Sequence, residues 1–295
     1  MKNTISTEDK LLGKKVDYPK QYAPDVLVAV PRKINREQYG ISEPPTEFIG
    51  LDTWHAYELG FLTENGLPVT GLLKMVYPSD SPFLVESKSL KLYLNSFNMS
   101  AYGKDRKSGI EQVSEIIKSD LEALLQCEVK LAFFDKEPEV AAHDFQDFMV
   151  MEETLDLESI QFNDFSENPE LLKPAKSSVK QLNLATHLLR SNCKVTHQPD
   201  WGSAFIHIEG EKVPDATGLL EYIISFRNEN HFHEEICEML YKRLWDKFQP
   251  EKLMVTCIYT RRGGIDICPS RASHPELLPA NLTSSEKLSS KLLRQ

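Results

Sequence analysis

The 295-residue sequence contains no apolar run that approaches the roughly 20 residues a helix needs to cross a bilayer. Its first ten residues are polar and lack the apolar core of a secretory signal peptide. These two absences disfavour a membrane protein and a secreted protein. We therefore expect a cytoplasmic protein that does not act at a membrane.

Cysteine is scarce, and its spacing disfavours the usual structural roles of cysteine. The five cysteines are an odd number, lie far apart and form no C-x-x-C pair, which disfavours a disulfide framework and a structural zinc site. His231, His233 and Glu234 lie close together, but no second histidine completes an H-E-x-x-H zinc motif. We predict reduced thiols and no bound metal. The cysteines are Cys127, Cys193, Cys237, Cys257 and Cys268.

Positive charge is also in deficit. Lysine and arginine number 34 against 44 aspartates and glutamates, so the net charge is -10 and the pI is near 5.4. A phosphate-binding surface normally needs a basic excess, so we expect no nucleic-acid partner. Any anionic ligand must be held by a local basic cluster. No G-x-G-x-x-G motif follows a predicted strand, which excludes a Rossmann dinucleotide site.

The composition that is present is ordinary for a globular protein, with 41% hydrophobic and 26% charged residues. The length exceeds one comfortable core and predicts two domains of about 130 to 150 residues each. We place an N-terminal unit at residues 1–150 and a C-terminal unit at 177–295. Between them we place a linker at 151–176, where carboxylates accumulate.

The spacing of apolar residues predicts the elements of the first half. A polar, proline-rich lead-in with little regular structure occupies residues 1–45, and Asn65 and Gly66 mark a turn. A helix is predicted from a capping box at 108–111 to near Cys127. The predicted strands are 48–59, 71–77, 85–97 and 129–134.

The second half repeats this order approximately. Residues 219–226 echo 90–97 and share their final Ser-Phe pair, a helix follows from about 230 to 248, and a strand follows at 254–259. Two pseudo-equivalent units of strand, helix and strand are the simplest account. We predict an α+β fold with largely antiparallel sheets backed by helices on one face.

Reactive groups are concentrated at residues 191–203, which hold a thiol, an imidazole, a carboxylate and an indole. A cysteine becomes a nucleophile when a neighbouring charge or base favours its thiolate. His197 and Asp200 are close enough to Cys193 in sequence to be candidates. The alternative is that Cys193 is a small buried apolar residue.

A hairpin signal follows the last predicted strand. Arg261 and Arg262 precede Gly263 and Gly264, and apolar residues alternate beyond them. Such a turn leaves backbone amides open to a phosphate beside two cations. The alternative is that these arginines are simply solvated.

Four motifs in a fixed order resemble one enzyme family, at residues 86–93, 191–203, 225–234 and 259–264. From Leu11 to the last residue, the sequence is similar to the NADPH-dependent 7-cyano-7-deazaguanine reductases, the QueF-type nitrile reductases, in their longer two-module form. The resemblance implies the tunnelling fold (T-fold) shared with GTP cyclohydrolase I, as tandem units related by internal duplication. It also implies assembly across subunits into a homo-oligomer, which we expect to be a homodimer.

The reaction that this resemblance implies is reduction of a nitrile to an aminomethyl group with two NADPH as co-substrate, in the synthesis of the tRNA nucleoside queuosine. Cys193 adds to the nitrile carbon as a thiolate, and the resulting covalent thioimide is far easier to reduce. Asp200 matches the general acid that protonates the nitrogen. His233 is assigned as a further proton-transfer group.

The resemblance also assigns the binding contacts. Glu86 and Glu234 match the carboxylates that accept the N–H donors of the guanine-like edge, and the helix dipole is expected to keep Glu234 ionised. Trp201 or Phe232 would stack on the flat ring. The substrate-binding set is Val85, Glu86, Ser87, His233 and Glu234. The NADPH-binding set is Ser87, Lys88, Arg262 and Gly263, and its two cations suit the phosphate that distinguishes NADP from NAD.

One residue departs from the expected pattern. An apolar side chain is expected directly after the nucleophile, where this chain has Lys194. Its ammonium either points to solvent or lowers the pKa of the thiol. His187 and His197 have no clear family role and are assigned to the structure.

Three other functions stay open. A cyclohydrolase-like enzyme on the same fold would need a zinc site built from cysteine and histidine. A non-catalytic purine- or pterin-binding module would have no need of Cys193 beside Asp200. A thiol hydrolase would convert the nitrile to an acid or amide without consuming NADPH.

Overall fold

The computed structural model describes residues 18–176 and 178–295, so only the later part of the predicted lead-in falls within the described residues. These residues form an α+β fold, as predicted. The strands are β1 (Ala29–Pro31), β2 (Ile49–Leu62), β3 (Pro68–Pro78), β4 (Phe83–Val85), β5 (Lys130–Phe134), β6 (Val140–Ala141), β7 (Met149–Val150), β8 (Gln181–Cys193), β9 (Pro199–Glu209), β10 (Asn230–His231), β11 (Lys252–Tyr259), β12 (Ile265–Ala272) and β13 (Leu288–Ser289). The α-helices are α1 (Lys33–Tyr39), α2 (Ser87–Asn95), α3 (Arg106–Leu125), α4 (Met151–Thr154), α5 (Ala216–Ser225), α6 (His233–Phe248) and α7 (Ala280–Thr283).

One nine-stranded sheet runs through both halves of the chain. Its strands follow the order β10-β8-β9-β11-β12-β2-β3-β5, and β7 also pairs with β8. The two halves meet where β12 pairs antiparallel with β2, from Ile265 opposite Ala56 to Ala272 opposite Ile49. The largely antiparallel character that we predict is confirmed; the exceptions in the described part of the chain are β7 and β10, which pair parallel with β8, and the small sheet in which β13 pairs parallel with β6.

The four longer helices cover one face of this sheet. Helices α5 and α6 pack their apolar residues against β8, β9 and β11, and α2 and α3 pack theirs against β2 and β3. The opposite face is covered by Phe145 and by Leu282 of the C-terminal segment. Within residues 18–176 and 178–295, no helix is both long enough and apolar enough to cross a bilayer.

The strand predicted at 85–97 is wrong, because this segment is mainly helix α2. The Glu86 carboxylate accepts hydrogen bonds from the backbone N–H groups of Lys88 and Ser89 at 3.1 and 2.7 Å. It thereby satisfies amides that a helix start leaves free. Leu90, Tyr93 and Leu94 lie at helical spacing and belong to the core cluster that includes β2 and β3, whereas Leu92 is buried outside that cluster.

The matching strand predicted at 219–226 is wrong for the same reason. Helix α5 covers this segment, and Asp215 caps it by accepting a hydrogen bond from the backbone N–H of Gly218 at 3.1 Å. The two segments echo each other as helices. Each half therefore has a long hairpin followed by two helices and a further strand, not the predicted order of strand, helix and strand.

Two further details differ from the prediction. The lead-in contains helix α1, which the sequence did not reveal because its buried residues Asn35 and Arg36 are polar and give no apolar periodicity. Helix α3 begins before the predicted capping box, because Asp105 and Ser108 form the box instead. The remaining predicted strands are confirmed as β2, β3, β5 and β11, and the glycine hairpin is confirmed between β11 and β12.

Candidate active site

A cavity of about 310 Å³ lies where the two halves of the sheet meet. It is enclosed by the starts of α2 and α6, the end of the β8–β9 hairpin, and the turn before β12. All the residues of the predicted catalytic, substrate-binding and NADPH-binding sets line this cavity. These residues are Val85, Glu86, Ser87, Lys88, Cys193, Asp200, His233, Glu234, Arg262 and Gly263. A single chain thus brings together groups from both halves.

Cys193 is the last residue of β8 and is half-buried. The turn that follows is held at both ends of its backbone. The N–H of Cys193 donates to the carbonyl of Gln198 at 2.8 Å, and its carbonyl accepts from the N–H of His197 at 3.0 Å. On its other side, β10 places His231 next to Cys193 in the parallel ladder. The hairpin therefore presents the thiol at a fixed point of the cavity wall.

Asp200 faces the cavity from β9 and is 7% exposed. Its Oδ1 is paired with the guanidinium of Arg262, and its Oδ2 lies 3.3 Å from Nε2 of His233. The imidazole of His233 stacks on the ring of Tyr259, with centroids 3.7 Å apart. Asp200 thus lies between a guanidinium and an imidazole, an arrangement that can pass a proton towards the cavity.

Glu234 is the least exposed carboxylate of the cavity wall, with 3% exposure. Its Oε1 has no hydrogen-bond partner among the described residues. Burial, reinforced by the charge of Asp52, raises the pKa of Glu234 to about 8, although Arg32 and Arg271 oppose this. The expectation that the helix start keeps Glu234 ionised is therefore wrong, because desolvation outweighs the helix dipole.

A buried ionic cluster underlies Glu234. Asp52 binds Arg32 and Arg271 at 2.5 and 2.7 Å, and Glu238 binds Arg36 and Arg271 at 2.7 and 2.9 Å. Burial alone would raise the pKa values of both carboxyl groups, but the arginines lower them. Sequence reasoning missed this cluster, because its partners are far apart in the chain, as Arg36 and Glu238 are.

Cations and open backbone lie together on another part of the wall. Lys88 and Lys91 reach it from α2, and Arg262 and Gly263 reach it from the turn before β12. Gly263 has a φ of +62°, and a Cβ there would meet the Lys91 side chain at 3.4 Å. These groups fit the phosphates of a dinucleotide. Lys91 escaped the sequence reasoning because a strand would have turned it away from Lys88.

Several sequence candidates lie elsewhere. His187 bonds to Ser203, and His197 bonds to Asn230, each at 2.8 Å, and neither lines the cavity. Trp201 does not line the cavity either. The guanidinium groups of Arg190 and Arg227 lie 5.8 and 5.3 Å from the centre of its ring. Phe232 does line the cavity and is the better placed of the two proposed stacking rings.

One group of side chains could hold a metal in the described part of the chain. Potential ligand atoms of His55, Asp266 and Cys268 all lie within 4.8 Å of one another, and all three residues are buried. They are not in the cavity wall, and the Lys291 ammonium lies 3.4 Å from both Asp266 Oδ2 and His55 Nδ1. The sequence did not reveal this group, because β2 and β12 are more than 200 residues apart.

A small cavity lined by a cysteine, a carboxylate and an imidazole is typical of an enzyme that acts on a small molecule. Two family models match the chain: "Nitrile reductase, 7-cyano-7-deazaguanine-reductase N-term" over residues 18–133 and "QueF-like protein" over 199–276. The chain therefore belongs to the 7-cyano-7-deazaguanine reductase family of nitrile reductases, and the predicted resemblance is confirmed.

Individual relatives agree along nearly their whole length. The NADPH-dependent 7-cyano-7-deazaguanine reductase of Coxiella burnetii is 41% identical over 270 residues, which cover 91% of this chain and 93% of that protein. The reductase of the same name from Delftia acidovorans is 39% identical over 289 residues, covering 95% and 99%. That from Acinetobacter baumannii is 38% identical over 279 residues, covering 93% and 97%.

Proposed function

We propose that this protein reduces the nitrile of 7-cyano-7-deazaguanine to an aminomethyl group, with NADPH as the reductant, in queuosine biosynthesis. The observation that carries the proposal is that Cys193, Asp200 and Glu234 line one cavity although they come from three different elements. Nucleophile, acid and recognition carboxylate are thus within reach of one small substrate.

The first chemical step is addition of Cys193 to the nitrile. The thiolate sulfur bonds to the nitrile carbon, one C–N π bond breaks, and the nitrogen takes up a proton to give a thioimide. Asp200 donates this proton, and His233, 3.3 Å away, can return one to the carboxylate. Arg262 holds the same carboxylate from its other oxygen and fixes its orientation.

The later steps use the same groups. NADPH, when bound, supplies one hydride in each of the two reductions. After the first reduction the Cys193 thiolate leaves the substrate carbon, and the imine that remains is the substrate of the second. Lys88, Arg262 and the backbone at Gly263 are the groups that would hold the dinucleotide phosphates.

Substrate recognition falls to two carboxylates and one ring. Glu234 carries a buried oxygen without a hydrogen-bond partner in the described part of the chain, so it has a free acceptor for a ligand N–H. Glu86 is already held by two backbone N–H groups, which orient it, and burial raises its pKa. Phe232 provides a flat apolar surface for the deazaguanine ring.

We expect substrate affinity to rise with pH. The pKa of Glu234 is about 8 in the free protein, so its carboxyl group is protonated at neutral pH, whereas the substrate donors bind the ionised form. Binding must then release a proton, and affinity should improve by up to about tenfold per pH unit until pH 8, then level off. Equilibrium titration of a Cys193→Ala variant between pH 6 and 9 measures this without covalent reaction.

The control for this prediction is the Cys193→Ala/Glu234→Gln variant. The glutamine at position 234 cannot ionise. The affinity of this double variant for the substrate should therefore be lower than that of Cys193→Ala and nearly independent of pH between 6 and 9. If the affinity of Cys193→Ala for the substrate does not change between pH 6 and 8, the assignment of Glu234 as a substrate-binding carboxylate is contradicted.

The proposed function is tested by mixing the protein with 7-cyano-7-deazaguanine in the absence of NADPH. We expect a new thioimide absorbance and a matching mass adduct on Cys193. Added NADPH should discharge the adduct, with two equivalents oxidised per substrate reduced. An adduct that turns over without NADPH oxidation would indicate a thiol hydrolase, and the absence of both adduct and oxidation would overturn the proposal.

We also propose that the two halves are tandem T-fold units, at residues 1–150 and 177–295, joined by the linker at 151–176. The similar order of hairpin, helices and strand in the two halves supports this. We propose a homodimer as well, so light scattering on the purified protein should give twice the chain mass of 33.7 kDa. The cytoplasmic location stays a prediction.

A further inference from the structure

The carboxylate of Glu235 joins three parts of the active site. Its Oε1 accepts a hydrogen bond from the Lys194 ammonium at 2.9 Å. Its Oε2 accepts from the backbone N–H of Phe232 at 3.0 Å and lies 3.2 Å from Nδ1 of His231. Glu235 is 3% exposed, so water hardly competes for these contacts.

The three partners flank the groups that the proposed reaction needs. Lys194 directly follows Cys193, and its ammonium lies 5.5 Å from the centre of the Phe232 ring. His231 is the neighbour of Cys193 in the sheet, and Phe232 directly precedes His233. Glu235 thus connects the end of β8, which carries Cys193, to the start of α6, which carries His233 and Glu234.

Helix capping alone does not account for this arrangement. A capping glutamate needs only the bond to the Phe232 N–H, which closes the start of α6. The Lys194 contact adds a partly buried ion pair between two elements, with side-chain exposures of 26% and 4%. Lys194 is therefore neither a purely solvated cation nor a free charge beside the thiol.

We propose that Glu235, through its ion pair with Lys194, is a positioning residue that fixes Cys193 relative to His233 and Glu234. This inference rests on the proposed function for the reaction that it serves. The pair links the turn after β8 to the start of α6, so its loss should change how the thiol meets the bound nitrile. It should change the intrinsic reactivity of the thiol much less.

The test compares Lys194→Met, Lys194→Arg and Glu235→Gln with the wild-type protein. Glutamine retains an acceptor for the Phe232 N–H but loses the charge pair, so it separates positioning from capping. Lys180→Met is the matched control, because it removes an ion pair with Glu211 at an exposed site. Two rates are measured for each protein: thioimide formation with the nitrile, and alkylation of Cys193 by iodoacetamide.

We expect thioimide formation to slow by roughly 10- to 100-fold in Lys194→Met and Glu235→Gln, because small misplacements of reacting groups have effects of this size. Alkylation by iodoacetamide should stay within about twofold, since that reagent needs no bound pose. Lys194→Arg should restore most of the rate, and Lys180→Met should match wild type. Equal slowing of both reactions, or no slowing of either, would overturn the positioning role.

A second measurement does not depend on the nitrile chemistry. Hydrogen exchange in Lys194→Met should be faster at the turn after Cys193 and at the start of α6 together, but unchanged in Lys180→Met. Unchanged exchange at both segments would overturn the inference whatever the enzyme reduces. If exchange is faster in Lys194→Met but the wild-type protein forms no thioimide adduct, the proposed function fails and the positioning role of Glu235 does not.

Discussion

Replacing Cys193 with alanine should abolish both the thioimide adduct and NADPH oxidation. Without the sulfur, hydride would have to attack the nitrile carbon directly, so we expect turnover to fall by at least about 10⁴-fold, as when other catalytic nucleophiles are removed. Non-covalent binding should persist, because Glu234 and Phe232 remain in the wall. Stopped-flow absorbance, intact mass and equilibrium titration give the three quantities on one preparation.

The matched control is Cys127→Ala. Cys127 is the other cysteine that is not fully buried, and burial raises the pKa of its thiol to about 11. It stays protonated near neutral pH and should neither react with the nitrile nor affect turnover. A Cys193→Ala protein that still reduces the nitrile, or a Cys127→Ala protein that does not, would contradict the assignment of the nucleophile.

Replacing Arg271 with methionine should give the largest loss of stability. The guanidinium of Arg271 is fully buried and binds both Asp52 and Glu238, so methionine would leave two buried carboxylates short of a partner. Removing one partner from a buried ionic network typically costs about 3–5 kcal/mol of unfolding free energy. Urea denaturation at neutral pH measures this loss.

The control and the pH dependence make this prediction specific. Lys252→Met removes a partly exposed ion pair with Glu209 and should cost less than about 1 kcal/mol of unfolding free energy. The pKa values of Asp52 and Glu238 are lowered in the folded protein, so their stabilisation is present above their ordinary pKa values and is lost as pH falls. The difference in unfolding free energy between wild type and Arg271→Met should therefore become smaller as the pH is lowered. A loss no larger than that of the control would contradict the role of the cluster.

The same cluster shows why the pKa of Glu234 could not be predicted from its place in the sequence. Residue 234 stands in the first turn of α6, where the helix dipole favours a negative charge. The sequence does not show that Asp52 lies nearby or that water is excluded. Both became visible only when β2, the lead-in helix and α6 were placed together.

The secondary-structure errors have a related cause. At residues 89–92 polar and apolar side chains alternate, as they do in a strand with one buried face. The Glu86 cap and the packing of Leu90 and Tyr93 against the sheet select a helix. A single local pattern was compatible with both structures, and tertiary contacts decided between them.

The amino-acid sequence by itself determined the family, the α+β class and the reactive and charged residues of the predicted sets that line the cavity, because short motifs carry chemistry that can be recognised before their arrangement is known. Only the tertiary structure decided which helices present those motifs, that one chain joins both halves in one cavity, and that Lys194 pairs with Glu235. It also decided the charge of Glu234 and revealed the buried ionic cluster. These features depend on burial and on contacts between residues far apart in the chain, and both arise only when the chain folds.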